Sequence, residues 1–538
     1  MRHGPLVALI IALLACLVPS GSARAAWREA QTTNFVIYAD LDEAQVSQLA
    51  QRLERYHAAM ELVTGVDMPP PSPSNRVTIY VLGNWSEMAE LSGSQMIAGF
   101  YVPRAGRAAA FVPAQRAGRR EDFSLNVLLH EYAHHFMISN SPFALPAWYS
   151  EGGAEFFGAT RFNEDGGLTL GLPAANRYDE IFYARNVTAA DLLDPPPVEG
   201  TSQRPYTNFY GKSWLLFHML QIDPEWRGKV GAYIRALTSG QSARAAAEST
   251  LGDLSALERA LDDYKTRPRL TSMRFSAEQL PVGQVTIRQL TAGEAAMMRY
   301  RVVSERGVGS EQAATLLARI RGVAAQYPQD AAVQDWLSEA EYDAGNDAEA
   351  IAAADRALAI DPARVNAYVQ KGYALFRIAK EAEEGPARIA AYRAAAAPFL
   401  ALNGLENDHP LALYYYYLSF IQSGRVPGPS ARAGLEHAVE LAPFDWTLRL
   451  TAVNMHLAAG EFAEARRALM PIAFYAHGGS LANAARNVVE RIDAGVVAED
   501  GQELRDLLDA GMNLAADEPE GGDTGSDGQG EDEGESEA

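Results

Sequence analysis

Hydrophobic positions change their period several times along this chain. Between residues 27 and about 115, two short runs of strand character, Phe35-Val36-Ile37-Tyr38-Ala39 and Val77-Thr78-Ile79-Tyr80-Val81-Leu82, flank a stretch from Glu43 to Thr64 with helical apolar spacing. A third strand is expected from Arg107 to Val112, after the turn-like Pro103-Arg104-Ala105-Gly106. From Leu125 to about Arg267 the pattern is mostly helical, interrupted by a loop from Leu193 to Pro205 that holds Pro195, Pro196 and Pro197. The order predicts a small mixed sheet feeding a helical half, together one α+β domain over residues 26–267.

Residues 268–293 read as a linker, and beyond them a longer period takes over. Leu337, Ala350, Ala354, Ala357 and Pro362 stand at the intervals of a tetratricopeptide repeat, with Gly345 in the turn between its helices. Further copies begin near Val365, Ala412 and Trp446, and residues 294–328 look like a degenerate first one. An all-α solenoid over 294–514 is therefore expected, in which stacking buries faces that one repeat cannot bury alone.

Composition changes the picture at the two ends. Residues 1–25 combine a short basic start, an apolar run from Leu6 to Val18 and the sequence Ala23-Arg24-Ala25, which is the pattern of a secretory signal. Export to a periplasm or the exterior is expected, with a mature chain starting near Ala26 or Trp27. The single cysteine, Cys16, lies inside that signal. Leu13-Leu14-Ala15-Cys16 also permits a lipid-anchored Cys16, the weaker reading because the apolar run continues past it. The formal charge is −22, but ten acidic and no basic residues fall from Asp517 onward. Residues 515–538 are thus expected to be an acidic, disordered, solvating tail, with weak cation or partner binding as the other reading. The acidic balance argues against a nucleic-acid partner, and no later apolar run rivals a membrane span, so none is expected in the mature chain.

The candidate chemistry sits in LLHEYAHHF, Leu128 to Phe136. Four helical residues turn about 400°, so His130 and His134 leave one face a single turn apart, close enough to bind one ion. Glu131 can reach a water on that ion without being a ligand. In His-Glu-x-x-His helices the metal lowers the pKa of its water to around 7 and the glutamate takes the proton. The apolar neighbours Val127, Leu128, Leu129, Ala133, Phe136 and Met137 would partly bury both rings, and a buried unligated pair would leave polar nitrogens to satisfy. A second helical pattern, Trp148 to Phe157, puts Glu151 and Glu155 on one face. A catalytic zinc takes three protein ligands and keeps a fourth position open, which makes Glu151 the candidate third ligand. Glu155 suits the free N–H of a ligand histidine. The competing reading, two carboxylates on a wet face, fits poorly with aromatic and glycine neighbours. His135 leaves the helix about 100° from His134 and is expected at the surface or behind the ligands. Two histidines and a carboxylate suit one Zn2+ ion best.

His130-Glu131-x-x-His134 followed by Trp148-Tyr149-Ser150-Glu151-Gly152 resembles the gluzincin metallopeptidases, in particular the peptidase MA-like group related to the aminopeptidase N catalytic core. The resemblance implies Glu151 as third zinc ligand, from the Asn-Glu-Gly segment of that family. It also implies Tyr210, in Tyr210-Gly211-Lys212-Ser213, as the tyrosine that donates to the oxyanion, with Ser213 where the family has glycine; a core aromatic is the bland alternative for Tyr210. It covers roughly residues 27–267. No Gly-x-Met-Glu-Asn segment is present, which puts recognition of a free amino terminus in doubt, and the roughly one hundred residues before His130 are too few for the family's N-terminal saddle domain.

The expectation is then an α+β metallopeptidase-like domain followed by a tetratricopeptide solenoid. It would be an exported zinc metallopeptidase with Glu131 as general base, the strand near Arg107 to Val112 pairing with an extended peptide, and the repeats recruiting a protein substrate or partner. Two alternatives remain: a repeat scaffold with an inactive or structural zinc domain, and a zinc amidase acting on a cell-wall amide.

Overall fold

Three strands rich in β-branched and aromatic residues form the centre of the fold: β2 (Phe35–Ala39), β3 (Val77–Leu82) and β5 (Ala109–Pro113), all parallel. The computed structural model describes residues 27–517 apart from 96, 115–118, 142–144, 174–176, 184–185, 194–207, 240, 476–478 and 497–500. The expected signal segment, nearly all of the proline-bearing loop and the acidic tail from residue 518 lie outside the described residues.

β1 (Arg28–Gln31) pairs antiparallel with β2, and β4 (Phe100–Val102) antiparallel with β5. With β9 (Thr286–Gln289) outside β1, the six-stranded sheet runs β4-β5-β3-β2-β1-β9. A smaller sheet joins β6 (Arg161–Phe162), β7 (Leu168–Leu170) and β8 (Met273–Phe275). The first long helix, Glu43–Thr64, starts on an Asp42 capping box closed by Gln45 and stops at Gly65 in the left-handed region, φ 70.

Both faces of the large sheet are apolar. Phe35, Ile37, Val77, Ile79, Val81, Ala110 and Val112 enter one core with the helix Glu43–Thr64 and the histidine-bearing helix Arg119–Ser139. Their neighbours in register point the other way. Tyr38, Tyr80, Phe111 and Phe100 stack across four strands at centroid distances of 5.5, 5.2 and 4.8 Å. Met297, Met298, Val302 and Trp336 of the repeats close over this ladder, and Arg301 lies 4.5 Å above the Tyr38 ring.

The helical half after residue 291 is a stack of hairpins: Ala292–Arg306 with Ser310–Gln326, Ala331–Asp343 with Asp347–Ile360, Val365–Lys380 with Pro386–Leu405, Pro410–Ile421 with Pro429–Leu441, Trp446–Ala458 with Phe462–Ala473, and Ser480–Asp493 with Gln502–Asp517. Ala350, Ala353, Ala354 and Ala357 are fully buried, the close approach that small residues permit. Gly372 lies so near Phe399 that a Cβ would sit 2.3 Å from its ring. Among the described residues no helix is long and apolar enough to cross a membrane.

Two expectations are corrected. Residues 268–293 are not a free linker: β8 closes the small sheet and β9 extends the large one, so the chain returns to the N-terminal domain before the repeats begin. β9 is exposed along most of its length, so its sequence shows no half-buried alternation. The strand expected at Arg107 to Val112 is β5, and it is interior, flanked by β3 and β4. The outer edge belongs to β4, a three-residue strand too short to announce itself.

An ionic cluster ties the sheet to the repeats. Arg107 lies 2.8 Å from Glu305 and 2.7 Å from Glu339. Burial alone would raise the Glu305 carboxyl, but Arg107, Arg301 and Arg104 outweigh it and hold the pKa down to about 2. That is below the unfolded value of about 4.3. The stabilisation is thus fully present above that value and is lost as pH falls from there through about 2. Urea midpoints measured from pH 6 to pH 3 should fall more steeply for the wild type than for Glu305→Gln. The variant should already be weaker by roughly 3 kcal/mol at pH 6, because it leaves buried arginines uncompensated. Parallel curves would show that Glu305 is not the acid-sensitive group.

Candidate metal centre

The helix Arg119–Ser139 buries Leu128, Leu129, Tyr132, Ala133, Phe136 and Met137 against the sheet and the helix Glu43–Thr64. Tyr56 fixes its position further by donating to the Leu129 carbonyl at 2.8 Å. With that stripe inward, His130 and His134 emerge on a flank, their side chains 17% and 13% exposed.

The second helix, Ala147–Gly158, is buried at every residue from Ser150 to Gly158. A helix with no wet face must be packed all round, and glycine is how this one fits. A Cβ on Gly152 would stand 2.3 Å from the Ser213 carbonyl oxygen, one on Gly153 2.7 Å from Met137 Sδ, and one on Gly158 3.1 Å from His130 Cβ. The helix is thereby pressed between the histidine helix and the helix Phe209–Ile222.

That contact brings the carboxylate to the imidazoles. His130 Nε2 and His134 Nε2 are 3.2 Å apart, and Glu151 Oε2 lies 3.4 Å from His134 Nε2 and 3.8 Å from His130 Nε2. Tetrahedral ligands at 2.0–2.2 Å from zinc are about 3.4 Å from one another, so the three atoms have the spacing of a zinc donor set. His134 Nδ1 faces Ser150 Oγ at 3.1 Å, and His130 Nδ1 faces Glu155 Oε1 at 3.9 Å. In the tautomer with hydrogen on both Nδ1 atoms, two Nε2 lone pairs and a carboxylate converge, an arrangement of acceptors that a cation relieves. His130, His134 and Glu151 can therefore hold a metal ion.

The neighbouring groups differ in part from their sequence roles. Glu131 is 7% exposed, and burial, helped by the Glu131 charge, holds the pKa of the Tyr101 hydroxyl well above its usual range. Glu155 faces His130, but its nearer partner is Arg177, with Nε 3.0 Å from Oε1. Burial pushes Glu155 up, against the pull of Arg177, and the net shift is upward. Arg177 also reaches Glu180 at 3.0 Å and lies 4.5 Å over the Tyr210 ring. Tyr210 therefore belongs to the same cluster, through Arg177, at the first turn of its helix. Glu180 in turn accepts from the Gly211 amide at 2.9 Å, and Lys212 is taken by Glu258 at 2.6 Å. His135 is packed, not a surface residue. Its Nδ1 is 2.7 Å from the Tyr101 hydroxyl, its ring stacks on Tyr132 and lies tilted against Phe444, and burial pushes its pKa down to about 4. Ser150 and Arg177 escaped the sequence reading. Ser150 sits inside the quoted motif, whereas Arg177, 22 residues beyond Glu155, has no periodic relation to it.

Fold and site together define the class: a sheet domain with a candidate metal centre, continuous with an array of helical hairpins. No family model and no curated protein matches the chain. Among solved structures it is similar to a thermophilic TPR protein of Thermus thermophilus, with 16% identity, a TM-score of 0.30, 41% of this chain covered and 100% of that one. It is also similar to the MamA RS-1 ArsTM double mutant, with 15% identity, a TM-score of 0.26, 38% of this chain covered and 95% of that one. The repeat architecture stands on the hairpins described above.

Two substitutions separate support of the site from its ligands. Gly152→Ala should cost roughly 3 kcal/mol of stability, because its methyl would meet backbone and not a movable side chain. Ser150→Ala should leave the melting temperature nearly unchanged and weaken metal binding about tenfold in a chelator competition. Unchanged affinity would mean that Ser150 does not orient His134.

Proposed function

We propose that this chain is an exported zinc-dependent hydrolase of peptide bonds whose helical repeats recruit a protein substrate or partner. The observation that carries the reading is the convergence of two imidazole nitrogens and one buried carboxylate with Glu131 on the adjoining turn. A structural metal site has no use for such a carboxylate and closes its fourth position with another ligand. Zinc at His130, His134 and Glu151 would supply Lewis acidity and an acidified water.

Glu131 then takes the proton from the attacking water and returns it to the leaving nitrogen. Tyr210 is assigned the donor to the developing oxyanion, on the resemblance of its segment and its place beside Arg177. Glu155 and Ser150 hold the two rings from behind. An extended substrate would add to the outer edge of β4, the strand at the rim of the sheet nearest the histidine helix. The basic and apolar start of residues 1–25 supports export.

The second reading is a repeat scaffold with a structural metal domain, favoured by the six hairpins, since helical-repeat surfaces commonly take protein partners. Glu131→Gln separates the two. On the hydrolase reading it retains near-stoichiometric zinc by mass spectrometry and slows cleavage of a peptide library by 10²–10⁴-fold or so, while His134→Ala loses the metal and Tyr210→Phe slows turnover roughly 10²-fold. A wild-type chain that binds zinc yet cleaves nothing in the library would favour the scaffold. A chain that takes no zinc even when it is supplied sinks the hydrolase reading.

A further inference from the structure

The turn between β4 and β5 is buried where a sheet-rim turn is ordinarily wet. Ala105 is 3% exposed, and the contacts on residues 104–107 come from the opening helix of five successive repeat pairs. Arg104 donates to the carbonyls of Glu305 at 2.7 Å and Arg306 at 3.1 Å. Arg107 spans Glu305, Glu339 and, at 3.4 Å, Asn366 Oδ1. Gly106, at φ +69, lies so near His409 that a Cβ would stand 3.1 Å from its ring. The Ala105 amide donates to Asp445 Oδ2 at 3.1 Å. His409 and Asp445 are the N-caps of the helices Pro410–Ile421 and Trp446–Ala458.

Helical-repeat arrays present extended binding surfaces; the wall made by these opening helices and their caps is acidic, through Glu305, Glu339 and Asp445, and takes two arginines from its own chain. The same hairpin reaches the metal centre. Tyr101 of β4 bonds His135, the residue after His134, and Phe444, next to Asp445 in the array, packs 5.1 Å from the same ring.

We propose that this wall of the repeat array is the receptor for the chain's own turn at residues 104–107, and that by gripping it the array positions β4 and the histidine helix behind the metal centre. The positioning half rests on the metal-centre reading; the grip does not. Arg107 is a positioning residue. An outside partner that takes the same wall must displace an arginine-bearing turn, and so loosens the site.

Hydrogen exchange on the full chain, with and without zinc, tests this beside a chelator competition. In the wild type the amides of residues 104–107 should exchange at least 100-fold more slowly than in an unstructured peptide. Arg107→Ala should raise exchange tenfold or more in residues 100–107 and 365–380, and weaken zinc binding about tenfold. Arg107→Lys should recover part of both, since one ammonium can meet the two carboxylates as Nη2 does but has no second nitrogen for Asn366. Unprotected amides in the wild type would overturn the grip, even if Arg107→Ala failed to fold. A loosened turn with unchanged zinc affinity would overturn the positioning. Should the wild type take no zinc, the hydrolase reading fails by itself, and exchange in residues 128–137 of Arg107→Ala becomes the positioning readout, with no change there counting against it.

Discussion

A sheet that is apolar on both faces cannot be finished by one layer of helices. Phe35, Ile37 and Ile79 need the helices that carry the candidate site, while Tyr38, Tyr80 and Phe111, one residue along in register, need the repeats. Parallel strands are ordinarily covered on both sides by their own crossover helices. Here one of those layers is the opening of a helical-repeat array. The two halves of the chain therefore share a core, and β9 makes the join covalent and local by returning to the sheet just before the first repeat helix.

The metal centre inherits its geometry from that arrangement. The histidine helix is fixed by its apolar stripe and by the Tyr56 bond to its backbone, so its rings have one direction to take. The Glu151 helix reaches them because glycine stands at 152, 153 and 158, where a Cβ would meet Ser213, Met137 and His130. Buried polar groups need partners, and a chain of them runs outward: His130 to Glu155, Glu155 to Arg177, Arg177 to Glu180 and Tyr210. Glu155 is desolvated in it, and Arg177 supplies the charge that makes its burial tolerable.

Much of this was legible in residue spacing. The two histidines four apart, the apolar stripe that orients them, the glutamates four apart and the alanine-rich hairpins all depend on the 3.6-residue period, which local sequence fixes. Less was legible for β4, β8 and β9. Their strands are three or four residues long, too short for an alternation to show, and β8 and β9 also pair with strands far away in sequence.

The sequence by itself determined which side chains could be ligands and on which helical faces they stand, because rise and turn per residue are properties of the backbone. Tertiary structure alone decided that Glu151 meets His130 and His134, that Ser150 and Arg177 support them, and that the turn bearing Arg107 enters the repeat wall. Those facts depend on how far apart two helices lie, and that distance is set by which glycine or alanine happens to face which neighbour. A contact between residues 107 and 339, or 105 and 445, leaves no periodic trace in a single chain.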